Sequence, residues 1–184
     1  MMRVFIAIEL SKDIKEELKQ TQDKLSPFCT KGRLTDKSNF HLTLRFIGEV
    51  NLKEYHSLKK AVDTVMKTHY PFSLHLDSLG SFNKRNRHII WAGVRGEMNK
   101  LYNLYYGLEE ALLEEGFPKE EREYTPHITL ARQVQLIEPI NELNQKVSMK
   151  SLEFSVKDIA VMESINRNGQ LVYRPVYRGE RSSE

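Results

Sequence analysis

The chain is short of everything that would tie it to a crosslinked, fibrous or membrane-spanning architecture. It has one cysteine, Cys29, so it can build neither a disulfide framework nor a cysteine-based zinc site. Nine glycines and six prolines in 184 residues exclude a collagen-like or low-complexity chain. Its longest apolar stretches, Val4–Ile8 and Ile89–Ala92, fall far short of the roughly 18 residues that a membrane span needs. At the N-terminus one Arg, five apolar residues and then Glu9 do not read as a signal peptide. A reducing cytoplasm is the expected location, with no membrane partner. Charge of one sign is missing too. Twenty-eight basic against 25 acidic residues leave +3, too mild to announce nucleic-acid binding by itself. The runs Lys31-Gly32-Arg33 and Lys84-Arg85-Asn86-Arg87 read as solvated loops.

What is present describes one globular domain. Hydrophobic residues make up 40% and charged residues 29% of the chain, and at this length roughly 70% of the unfolded surface can be buried. A monomer is expected. Val4, Ile6 and Ile8 mark a largely buried strand. Ser11 is placed to cap a helix striped by Ile14, Leu18 and Leu25 that ends before Pro27. Phe40–Gly48 reads as a strand. Asn51 and Glu54 form a capping-box pattern before a helix with core face Leu52, Tyr55, Leu58, Val62, Val65 and Met66. Phe72–Ser81 follows as a strand.

The second half has the same order. His88–Arg95 is a strand, and Met98, Leu101, Leu104, Tyr105, Leu108 and Leu112 stripe a helix stopped at Gly116. Tyr124–Ala131 is a strand, Ile140, Leu143 and Val147 a short helix after Pro139, and Leu152–Met162 a strand. An extra strand over 171–178 precedes a polar tail, Gly179–Glu184. The spacing of the central strands is 127 − 41 = 86 and that of the last pair 154 − 72 = 82. This pattern implies an α+β fold built from a duplicated βαβαβ unit, with copies over about 1–82 and 88–165. Two similar lobes with a cleft between them are expected, and such an interface is a common place for a ligand.

Equivalent places in the two copies carry the chemistry. One strand reads Phe40-His41-Leu42-Thr43-Leu44-Arg45-Phe46 and the other Pro126-His127-Ile128-Thr129-Leu130. Side chains alternate along a strand, so His41, Thr43 and Arg45 share one face and His127 and Thr129 another, over apolar undersides. Six His and eight Thr give about 6 × 8/184, or 0.26, His-x-Thr triplets by chance, so two in register with an independent repeat call for a cause. In-line displacement at phosphorus needs such a pair. A base takes a proton from water on one side, and an acid protonates the departing ribose oxygen on the other. Histidine suits both tasks because it titrates near neutrality. Each Thr hydroxyl can hydrogen-bond a non-bridging oxygen, and a strained cyclic phosphate needs no metal in principle.

The two motifs, HLTLRFIGE over 41–49 and HITLAR over 127–132, resemble those of the 2H phosphoesterase superfamily. Within it they are most similar to the bacterial RNA 2′,3′-cyclic phosphodiesterases, also called 2′-5′ RNA ligases. The opening VFIAIEL and the segment Trp91-Ala92-Gly93-Val94 are similar as well. The resemblance implies two antiparallel sheets flanking a central cleft, with helices outside. It implies metal-independent opening of RNA 2′,3′-cyclic phosphate ends to a 2′-phosphate, on tRNA-like or short RNAs, with no cofactor and with a ligase activity as a further expectation. His41 is then the proton donor and His127 the proton acceptor. Arg132 corresponds to the basic residue that contacts phosphate, although simple alternation groups it with Ile128 and Leu130. A bulge or a strand end restores it, or Arg45 does that work instead.

The same site could serve a small cyclic nucleotide or an ADP-ribose cyclic phosphate. A non-catalytic module that binds RNA ends is a third reading, which an acid–base pair fits less well than Arg and Lys would. His56, His69, His75 and His88 lack metal-pair spacing and read as surface residues. Tyr124 and Trp91 could stack a base or belong to the core.

Overall fold

The computed structural model describes residues 1–179. The first half supplies β1 (Met2–Glu9), α1 (Lys12–Leu25), the two-residue strands β2 (Cys29–Thr30) and β3 (Arg33–Leu34), β4 (His41–Val50), α2 (Leu52–Met66) and β5 (Phe72–Lys84). The second supplies β6 (Arg87–Gly96), α3 (Met98–Glu114), β7 (Ile128–Leu136), α4 (Ile140–Lys146), β8 (Glu153–Val156), β9 (Ile159–Arg167) and β10 (Gln170–Gly179). The part of the expected polar tail beyond Gly179 lies outside the described residues.

Two sheets form, and every strand pair in them is antiparallel. The first has the order β10-β9-β1-β4 and the second β2-β7-β6-β5-β8, with β3 also beside β7. The sheets are not the two halves of the sequence. β5, from the first half, pairs with β6, while β9, from the second, pairs with β1. The single strand expected over 152–162 is therefore two. It breaks at Lys157-Asp158, where no apolar residue can continue the buried run, so that β8 edges the second sheet and β9 crosses to the first. The strand expected from Tyr124 begins only at Ile128, leaving 124–127 outside the ladder.

Local chemistry explains the helix ends. Asn51 and Glu54 make both bonds of the capping box. Ser11 stands at the N-cap of α1, but its side chain makes no cap bond. Leu52, expected on the core face of α2, is the first residue of the helix and is 71% exposed, the buried stripe starting only at Leu58. A continuous core between sheets and helices contains Ile6, Leu42, Leu74, Ile90, Ile128 and Leu130. A second, smaller cluster of Phe5, Ala7, Ala160 and Met162 covers the other face of the first sheet, with Tyr173 packed on it.

Candidate active site

His41 and Thr43 lie on the first sheet's second face, above that small cluster. Their position follows from register: Ala7, a member of the cluster, pairs with Thr43, and Glu9 pairs with His41. One residue later the ladder slips. Ile6 faces Arg45, so a single step on β1 spans two on β4 and Leu44 is bulged. The slip reverses alternation, turning Arg45 to the core side with Ile6 and Phe46 to the His face. β7 does the same 86 residues on: Trp91 pairs with Thr129 and Ile90 with Ala131, bulging Leu130. Ala131 consequently turns inward and Arg132 returns to the face of His127 and Thr129. A second slip follows at Gln133, whose φ of 55° is the left-handed conformation such bulges use.

Each imidazole is held by the carbonyl two residues before it. His41 Nδ1 is 2.7 Å from the Asn39 oxygen, and His127 Nδ1 is 2.7 Å from the Thr125 oxygen. A carbonyl can only accept, so both Nδ1 atoms carry hydrogen and both neutral rings present a bare Nε2. In the first lobe the Thr43 hydroxyl, 2.8 Å away, donates to that nitrogen. Aromatic rings fix the planes. Phe5 and Tyr173 stand 4.7 and 5.2 Å from the His41 ring, and Phe82 and Trp91 stand 5.0 and 6.1 Å from that of His127. Trp91 needs a glycine behind it, because a Cβ on Gly80 would lie 2.1 Å from the indole.

Both rings hold their protons weakly. Burial, with the charges of Arg132, Lys15 and His127, pushes His41 down to about 4 against the pull of the Asn39 carbonyl. Burial and the Arg132 charge also lower His127, partly countered by the Thr125 carbonyl. Arg132 thus acts on both imidazoles at once. The two lobes are also joined directly, since the Tyr124 hydroxyl donates to the Thr43 carbonyl at 3.1 Å and its ring stacks on Tyr105 at 4.1 Å. Burial raises that phenol well above its ordinary range.

Arg45 is elsewhere. Its expected place beside His41 and Thr43 is corrected by the Leu44 bulge. The guanidinium, 9% exposed, meets Glu109, Glu120 and the Pro118 carbonyl behind the sheet. His69 is buried rather than at the surface. Its Nε2 faces the Val156 carbonyl at 3.1 Å, and its ring packs edge-on against Phe72. His75 pairs with Glu153 at 3.3 Å. Among the described residues no group of three or more His, Cys, Asp or Glu is arranged to hold a metal ion. A groove of about 470 Å³ between α2 and α3 contains neither motif histidine.

The family model of the 2′-5′ RNA ligase superfamily matches residues 30–168, which include both His-x-Thr strands. The chain belongs to that superfamily, the 2H phosphoesterases. The RNA 2′,3′-cyclic phosphodiesterase of Methanocaldococcus jannaschii is 33% identical to it over 92% of this chain and 96% of that one. A crystal structure of a Thermus thermophilus protein superposes with a TM-score of 0.80 at 25% identity, covering 97% of both chains. The crystal structure of E. coli LigT complexed with 3′-AMP gives a TM-score of 0.78 at 25% identity, covering 99% of both. In this 2H phosphoesterase, sequence reasoning missed Phe5, Phe82 and Tyr173 around the rings. One signal was available. Phe5 and Trp91 are 91 − 5 = 86 positions apart, the interval that separates the two histidines.

Proposed function

We propose that the protein opens 2′,3′-cyclic phosphate ends of RNA to 2′-phosphates, using two histidines and no metal. The observation that carries this reading is the matched pair of imidazoles, each with its Nδ1 bound to the carbonyl two residues before it and its Nε2 left without a proton. Water attacks phosphorus while His127 Nε2 takes its proton. The bond from phosphorus to the 3′ oxygen breaks, and His41 gives that oxygen the proton on its Nε2. The Thr43 and Thr129 hydroxyls donate to the non-bridging oxygens, with Thr43 turning away from His41 as that ring gains a proton. Arg132 offsets the phosphate charge. His41 is a weak base in the empty site, so the anionic substrate must raise its proton affinity on binding. With a 5′ hydroxyl attacking phosphorus in place of water, and the 3′ oxygen again leaving with the proton from His41, the same groups join RNA ends through a 2′-5′ bond. The paired bulges at Leu44 and Leu130 support the further reading that the two halves are copies of one unit.

The test is to incubate the protein in EDTA with an oligoribonucleotide ending in a 2′,3′-cyclic phosphate and to identify the product. A 2′-phosphate, with His41→Ala and His127→Ala each slowed about 10²- to 10⁴-fold, is expected. A 3′-phosphate overturns the assignment of the leaving oxygen. Activity lost in EDTA and restored by a divalent ion overturns the metal-free mechanism.

A further inference from the structure

The two basic runs, distant in sequence, meet at one edge of the second sheet. Arg33 on β3 pairs directly with Arg132 on β7. The Lys31-Gly32 turn lies so close to β7 that a Cβ on Gly32 would sit 2.5 Å from the Arg132 and Gln133 backbones. From the other side the β5–β6 hairpin closes with Lys84 opposite Arg87, and Arg87 Nη1 donates to the Gln133 carbonyl at 3.0 Å. The bulge at Gln133 is where the two loops converge. The segments 29–34, 81–88 and 126–135 hold six Lys or Arg and no Asp or Glu. Lys31, Arg33, Lys84 and Arg85 are exposed. Phe82, 36% exposed, lies between this edge and His127.

The first lobe is different at the matching places. Phe46 stands where Arg132 stands on β7, Arg3 faces Glu49 across β1 and β4, and Arg174 pairs with Glu163 at 2.8 Å. Among the described residues, positive charge is compensated there and has no acidic partner beside His127. A phosphodiester strand attached to a phosphate held between the two histidines would gain charge pairing only over the second lobe.

We propose that this edge, formed by Arg33, Arg132, Lys84, Arg85 and Arg87, binds the RNA strand on the 5′ side of the cyclic phosphate, with Phe82 stacking a base. The proposal rests on the RNA reading above and adds to it a direction for the strand and a preference for length. A flexible single strand suits it, because backbone charge and one aromatic platform ask for no particular sequence.

The experiment compares a 2′,3′-cyclic mononucleotide with an octaribonucleotide carrying the same end, across a salt series. The octamer is expected to have a KM at least tenfold lower at low salt, with the two converging as salt rises. In Arg33→Ala/Lys84→Ala/Arg85→Ala the octamer loses most of that advantage, and its slope of log KM against log salt falls by about 0.7 for each contact removed. Lys12→Ala/Lys53→Ala/Lys67→Ala, the same loss of three charges at the start of α1 and on and just after α2, is expected to keep the advantage. Equal KM values for the two substrates in the unmodified protein, or equal effects of the two variant sets, overturn the proposal. If neither substrate is turned over, the catalytic reading fails. The surface is then judged by fluorescence anisotropy of a labelled octaribonucleotide, where equal affinity for the unmodified protein and the triple variant overturns it.

Discussion

Arg45 Nε lies 2.7 Å from Glu109 Oε1, with both side chains buried between β4 and α3. The N–H is not aligned with the oxygen, so this is an ion pair more than a hydrogen bond. The same guanidinium reaches Glu120 and the Pro118 carbonyl, on the segment that leads to Tyr124 and His127. Glu109 in turn accepts from the Glu120 amide at 3.0 Å. The residue four positions after the first motif histidine therefore tethers the connector to the second.

Removing one partner of this buried group leaves an unpaired charge. Arg45→Met or Glu109→Gln is expected to cost about 3 kcal/mol in urea unfolding. Arg45→Lys, which keeps charge but not the fork, is expected to lose part of that stability while leaving KM for a cyclic phosphate within about twofold of the unmodified enzyme. A large rise in KM at full stability would return Arg45 to the phosphate.

The rate profile should be displaced to acid. His41 is held at about 4 and His127 below 6.5 in the free protein. A reaction that needs one ring protonated and the other neutral then gives a bell in kcat/KM with its maximum below pH 6.5. The bound phosphate favours imidazolium, so the kcat profile should lie to the alkaline side of that for kcat/KM. Profiles centred above pH 7 for both constants would contradict the burial of the rings.

Stability should follow the same groups. The folded pKa of His41 is depressed below the ordinary value of 6.5, so below pH 6.5 the unfolded chain binds the extra proton. Its contribution is whole above pH 6.5 and is lost as pH falls toward 4, with a cost of about 2 kcal/mol at pH 5. Chemical denaturation at pH 5 and 7 measures it, and His41→Gln should flatten the difference. An unchanged difference would place the effect on other groups.

Gly80→Ala puts a methyl group where the indole of Trp91 lies. Trp91 is the sole tryptophan and is 6.1 Å from His127, so its emission reports that displacement. A shifted emission spectrum and a kcat reduced at least tenfold are expected, with α2 and its capping box undisturbed. Normal kcat with a shifted spectrum would show that the indole does not position His127.

Period-two alternation makes His41, Thr43, His127 and Thr129 legible, since strict alternation holds up to Leu44 and Leu130. It fails just beyond because nothing at either leucine marks a bulge: neither Gly nor Pro is there, and the apolar pattern reads straight through. Alternation accordingly assigns Arg45 the wrong face and sets Arg132 out of step with His127 when it is not. The capping box at Asn51 is readable because both of its bonds are local. The partners of β5 and β9 are not, because strand order depends on contacts far apart in sequence. β2 and β3, two residues each, are too short to show any period.

The exchange of β5 and β9 between the sheets makes the halves inseparable. A chain cut in the β5–β6 turn would leave β1 without β9 in one fragment and β6 without β5 in the other, exposing long hydrogen-bonding edges on both. Neither fragment could be produced alone as a folded lobe. His41 opens β4 of one sheet and His127 stands just before β7 of the other, so each imidazole depends on a sheet that needs a strand from the opposite half of the sequence.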